Sequence, residues 1–79
     1  MDIQQLQKYL NDNDLYWSGL SESDDTFIIT IEWGDWKHDH LYLQHLMGKV
    51  NLPLKSYIIT EENGSDCYSA EYEFFKNSL

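Results

Sequence analysis

The sequence predicts an α+β fold: a two-layer sandwich in α-β-β-α-β-β order, with a four-stranded, mainly antiparallel sheet and two helices on one face. Three observations predict it. Tyr57–Phe75, YIITEENGSDCYSAEYEFF, reads as a β-hairpin, because Asn63-Gly64 is the dipeptide a two-residue type I′ turn prefers. Thr26–Trp33 sets Phe27, Ile29, Ile31 and Trp33 against Ile28, Thr30 and Glu32 in strict alternation. Two further segments carry apolar residues at helical spacing.

The first of these follows Asp2, which with Gln5 has the form of a capping box. Ile3, Leu6, Tyr9 and Leu10 then predict a helix to Leu10 or Asn11, halted by Asn11-Asp12-Asn13-Asp14. Leu15–Leu20 is the next strand. If Leu20 pairs with Thr26 across the polar loop Ser21–Asp25, then Leu15, Trp17 and Gly19 share a face with Phe27, Ile29 and Ile31. Asp35 can cap a second helix from Trp36, whose stripe runs through His40, Leu43, Leu46 and Met47; Gly48 is its expected left-handed terminator. Pro53 prevents helical continuation.

In the closing hairpin a turn at Asn63-Gly64 places Ile59 opposite Tyr68 and Tyr57 opposite Ala70. The expected core is Trp17, Phe27, Ile29, Ile31, Trp33, Tyr57, Ile59, Tyr68, Tyr72 and Phe74. Tyr16, Leu20, Ile28, Thr30, Glu32, Ile58, Thr60, Cys67, Ser69, Glu71, Glu73 and Phe75 fall on the opposite, open face. The second half repeats the architecture of the first, Leu6–Leu10 matching Leu43–Met47. A chain of 79 residues supports one domain, 1–79, with Lys76 to Leu79 free to fray.

Fourteen Asp and Glu against five Lys and no Arg give a formal charge of −9. That field opposes direct binding to nucleic acid, which requires cationic side chains to displace counterions, and it opposes anionic membranes. No apolar run reaches membrane-spanning length, and a single Cys67 makes no intrachain disulfide, so a cytoplasmic location is expected.

Candidate chemistry is sparse. His38, His40 and His45 are separated by two, five and seven residues. They lack the i, i+4 spacing that sets two imidazoles on one helix face, and His40 reads as a boundary histidine within the stripe. Cys67 has acidic neighbours that disfavour a thiolate. There is no Gly-rich phosphate loop, and a small sandwich has little depth for a substrate pocket. No enzyme activity, cofactor or metal is expected.

The carboxylates are more suggestive. Seven fall between Tyr9 and Trp36 and five between Ser56 and Phe75, with no Lys in either stretch. Glu22, Asp24, Asp25, Glu32, Glu61, Glu62, Asp66, Glu71 and Glu73, with Tyr16 and Ile58, form the candidate partner-binding set. If Asp24-Asp25 and Glu61-Glu62 share one sheet edge, they can imitate a run of phosphates in the groove of a basic partner, such as a nuclease or another DNA-binding protein. The plainer account is turn chemistry and solubility. Two alternatives are a homodimer paired through the open face and a small metal hydrolase using the helix histidines.

IEWGDWKHDH and EENGSDCYSAEY resemble stretches of short uncharacterised acidic proteins of bacteria, some carried on mobile elements, over the chain from Ile31 onward. That resemblance transfers no catalytic residues. In size and charge the chain is also similar to phage anti-defence proteins of the anti-CRISPR type, which implies an inhibitor acting as a nucleic-acid mimic.

Overall fold

A computed structural model describes residues 1–32, 36–61 and 68–76, with residues 36–39, Glu61 and Tyr68 described by their backbone alone. Trp33, the Asp35 cap, the Asn63-Gly64 turn, Glu62, Asp66, Cys67 and the last three residues lie outside it. The chain forms α1 (Ile3–Asp12), β1 (Gly19–Glu22), β2 (Thr26–Glu32), α2 (Trp36–Lys49), β3 (Leu54–Glu61) and β4 (Tyr68–Phe75). The α+β architecture and the element order are as the sequence predicts.

Local chemistry explains where the helices begin and end. Asp2 accepts from the Gln5 amide at 2.8 Å while the Gln5 side chain accepts from the Asp2 amide at 2.9 Å, completing the capping box. At the other end, Leu15 N–H donates to Leu10 O and Asp14 N–H to Asn11 O, with Asp14 at φ 57°. This is a Schellman ending. α2 ends in the same way: Leu52 N–H donates to Met47 O and Asn51 N–H to Gly48 O, with Asn51 at φ 58°. The terminator is therefore Asn51, and Gly48 lies inside the helix, a correction to the expected boundary.

Both left-handed positions carry a side chain, although short polar ones that tolerate the conformation. Asn51→Gly is expected to raise stability by a few tenths of a kcal/mol and Asn51→Ala to lower it by about 1 kcal/mol, as read from urea midpoints. Each left-handed residue is followed by a buried leucine, Leu15 or Leu52. Leu6, Leu10, Asp14 and Leu15 stand at one constant offset from Leu43, Met47, Asn51 and Leu52, so the internal repeat extends through the helix endings.

The strands form one antiparallel sheet in the order β1-β2-β4-β3. At its centre Phe27 pairs with Phe74, Ile29 with Tyr72 and Ile31 with Ala70, all buried and all facing the helices. Leu6 and Leu10 from α1 and Leu43, Leu46 and Met47 from α2 close over them. Two tyrosines tie the helices together: Tyr9 donates to Leu46 O and Tyr42 to Asn13 O, each at 2.7 Å.

Burial, and then the neighbouring Tyr42, raise the Tyr9 phenol above its ordinary pKa. The folded state therefore holds that proton more tightly than the unfolded chain. The resulting stability is fully present below the unfolded value of about 10 and is lost as pH rises through the folded one. Tyr9→Phe should flatten the alkaline limb of a stability-against-pH curve.

Both hairpin registers differ from the expected ones. In the first, Leu20 pairs with Ile29 and Glu22 with Phe27, three residues from the predicted alignment, because the turn is a tight Asp24-Asp25, closed by Ser23 N–H donating to Thr26 O. An odd slip exchanges the two faces of a strand. Leu20 moves from the open face to the helix side, where it packs against the core, and Gly19 moves to the open face opposite Thr30. β1 is also shorter than Leu15–Leu20, and Tyr16 and Trp17 precede it.

In the second hairpin Tyr57 pairs with Tyr72 and Ile59 with Ala70, two residues from the predicted alignment. An even slip preserves the faces, so the division of residues there stands. Tyr57 is 49% exposed, however, because it belongs to the edge strand and has a sheet neighbour on one side among the described residues. Trp17 is partly buried, its indole N–H donating to Asn11 Oδ1 at 3.1 Å. Lys76 is anchored, its amide on Asp25 O at 2.9 Å and its ammonium 3.0 Å from Glu22, and is not part of a frayed tail.

Candidate partner-binding surface

Side-chain alternation places Ile28, Thr30 and Glu32 of β2, Ser69, Glu71, Glu73 and Phe75 of β4, and Ser56, Ile58 and Thr60 of β3 on the face away from the helices. The registers arrange them in rows across the sheet. Gly19, Thr30, Glu71 and Ile58 form one row, and Ser21, Ile28, Glu73 and Ser56 the next. Glu32, Ser69 and Thr60 form a third. Ile58 is 66% exposed and Glu71 beside it is exposed.

The row through Glu73 has different electrostatics. A bulge between Leu54 and Ser56 lets Lys55 reach the same face, 3.5 Å from the Glu73 carboxylate and over the Phe75 ring. Glu73 also accepts from Thr26 Oγ1 at 2.8 Å, and Thr26 is fully buried with its hydroxyl against Ser23 Oγ. Glu73 thus serves the fold at one end of the face, whereas no cation among the described residues lies within ion-pair distance of Glu71 or Glu32.

The predicted acidic residues do not gather along one edge. Asp24 and Asp25 occupy the β1–β2 turn beside the end of β4, where Thr26 pairs with Phe75. Glu61 ends β3 against Tyr68, beside the opposite end of β2, where Glu32 pairs with Ser69. The two groups are separated by the length of β2, about 20 Å at strand rise. Antiparallel pairing of β2 with β4 forces this, because it turns the second hairpin end for end relative to the first. Glu22 lies on the helix side, bridged by Lys76, and Tyr16 is exposed in the segment before β1. Of the candidate set, the structure brings together Glu32, Ile58, Glu71 and Glu73.

Of the three helix histidines, His40 and His45 have described side chains, and that of His38 lies outside them. His40 Nδ1 lies 2.9 Å from the Tyr72 hydroxyl and its Nε2 2.8 Å from Gln44 Nε2, while its ring meets Tyr57 edge-on at 5.1 Å. It is a hydrogen-bonded boundary residue, and His45 is exposed. Among the described residues no three His, Cys, Asp or Glu side chains are placed to share a metal ion. No helix among them is long and apolar enough to cross a membrane. A shallow hollow along α1 is lined by Gln4, Gln7, Lys8, Asn11 and Asp12 and is open to solvent. Lys8 and Asp12 bridge there at 2.7 Å; that hydrogen bond, and then the Asp12 charge, raise the Lys8 pKa.

Lys55 was not among the predicted site residues. Its place on the open face follows from a bulge, which alternation cannot announce; Pro53 just before it is the one local signal. No family model matches the chain, and neither curated proteins nor solved structures yield a match.

Proposed function

We propose that this chain is a non-enzymatic binding module that presents the open face of its sheet to a basic protein partner. One observation carries the reading: Ile58, two-thirds exposed, lies beside exposed Glu71 in the middle of a face that the helices leave uncovered. An apolar anchor next to carboxylates suits a partner surface that offers cations around an apolar contact. The net charge of −9 supports the same sign of partner and favours rapid encounter with it.

A nucleic-acid decoy is the narrower version of this reading. Asp24 and Asp25 lie the length of a strand from Glu61, so among the described residues it rests on Glu32, Glu71 and the overall charge. Face-to-face pairing of two copies would set these carboxylates near their equivalents in a body of equal charge, which disfavours the homodimer.

The test is affinity capture from a bacterial lysate at low salt, run in parallel with the doubly reversed Glu32→Lys/Glu71→Lys protein. Basic proteins held by the natural chain, released by a salt gradient and missing from the reversed one are the expected result. Identical capture by both proteins, or capture indifferent to salt, would remove the reading.

A further inference from the structure

The outer side of β3 has features that the open face alone does not explain. β3 terminates the sheet, and among the described residues no backbone group is bonded to its outer side. A strand of eight residues left in that condition is a template for another chain, which proteins ordinarily block with proline, lysine or a bulge. Here Pro53, Lys55 and the Leu54/Ser56 bulge are confined to its beginning. From Ser56 to Thr60 the sequence is Ser-Tyr-Ile-Ile-Thr, rich in strand formers and free of those devices. The other edge strand, β1, has only four residues and pairs a glycine at its start with Thr30.

We infer that the β3 edge accepts an extended segment of the partner as a fifth strand, one in which Lys or Arg alternates with apolar residues. The inference rests on the proposed function and specifies its partner. Tyr57 and Ile58 are both about half or more exposed and point to opposite sides of the edge, so an added strand covers both. Apolar residues of one parity would lie against Tyr57 on the helix side. Residues of the other parity would extend the Thr30–Glu71–Ile58 row on the open face. A long cationic side chain placed opposite Ile58 can lay its stem over that isoleucine and bring its head toward Glu71, whose strand is about 10 Å from the added one.

A second copy fits this edge less well. Its own β3 would offer Ser56, Ile58 or Thr60 where Glu71 calls for a cation, and it would bring another body of charge −9 alongside.

The probe is a fluorescein-labelled peptide of alternating Lys and Val, seven residues long, compared with two versions N-methylated on either the Lys or the Val amides. Strand addition uses backbone amides of one parity, so one methylated version should bind at least tenfold more weakly while the other binds like the parent. Parent binding should weaken as salt is added, and amide exchange should slow across Ser56–Thr60. Ile58→Lys, a change at an exposed site, should weaken binding about tenfold while leaving the thermal melt in place. Equal binding of all three peptides overturns the strand-addition inference but leaves the acidic face as a binding surface, to be judged by capture. Failure of the parent peptide to bind overturns it as well, as does sedimentation showing that β3 already pairs two copies when no peptide is present.

Discussion

Phe27→Ala is expected to lower the folding stability by about 3–5 kcal/mol, the largest loss from any single truncation in this core. Phe27 is completely buried, pairs across the central seam with Phe74, and sits under α1 and α2 with the rest of the core. Truncating a buried phenylalanine costs about 3–5 kcal/mol, the lost transfer energy together with the cavity left behind. A domain of this size has a total of roughly 4–12 kcal/mol to lose. Phe27→Leu, which keeps most of the volume, should cost about 1–2 kcal/mol. Urea unfolding followed by tryptophan fluorescence separates the two; a cooperative transition for Phe27→Ala within about 1 kcal/mol of the natural chain would contradict the assigned core.

Thr26→Val should give the next largest effect, about 1.5–3 kcal/mol, through polarity with little change of shape. The Thr26 side chain is fully buried, and its hydroxyl donates to the Glu73 carboxylate at 2.8 Å beside Ser23. Valine fills the same space but offers Glu73 no donor, and hydrogen bonds to charged groups carry this larger cost. Lys55 compensates weakly, since its 3.5 Å pairing with Glu73 is partly exposed. Thr26→Ser retains the donor and should recover much of the difference. If Val and Ser behave alike, the hydroxyl contributes no net stability.

The parts of the structure legible in the sequence are those set by local chemistry. α1 announced itself through the Asp2–Gln5 pair, and β2 through its alternation, because each signal lies within one turn or one strand. The registers were less accessible. Ser21–Asp25 contains several residues that favour turns, and closing the turn on two of them, Asp24-Asp25, rather than on all five reverses the faces of β1. Only the packing of Leu20 against the core decides between the two.

The second hairpin kept its faces because its slip was even, so Ile58 and Glu71 were placed correctly from the wrong pairing. The distribution of charge was hidden for a different reason. Which hairpin loops share an end of the sheet depends on β2 lying antiparallel to β4, a relation between the two halves that no local pattern encodes. The same relation made Glu73 a structural residue and left Glu71 free to face outward.

The central seam also has a kinetic meaning. Each hairpin joins neighbours along the chain and can close quickly, whereas β2 and β4 come from opposite halves and must lose loop-closure entropy before Phe27 meets Phe74. Refolding should therefore be timed by the meeting of the two halves. Trimming Ile29 to Val at the middle of that junction is expected to slow refolding, while a comparable change at the rim, Leu20→Ala, mainly hastens unfolding.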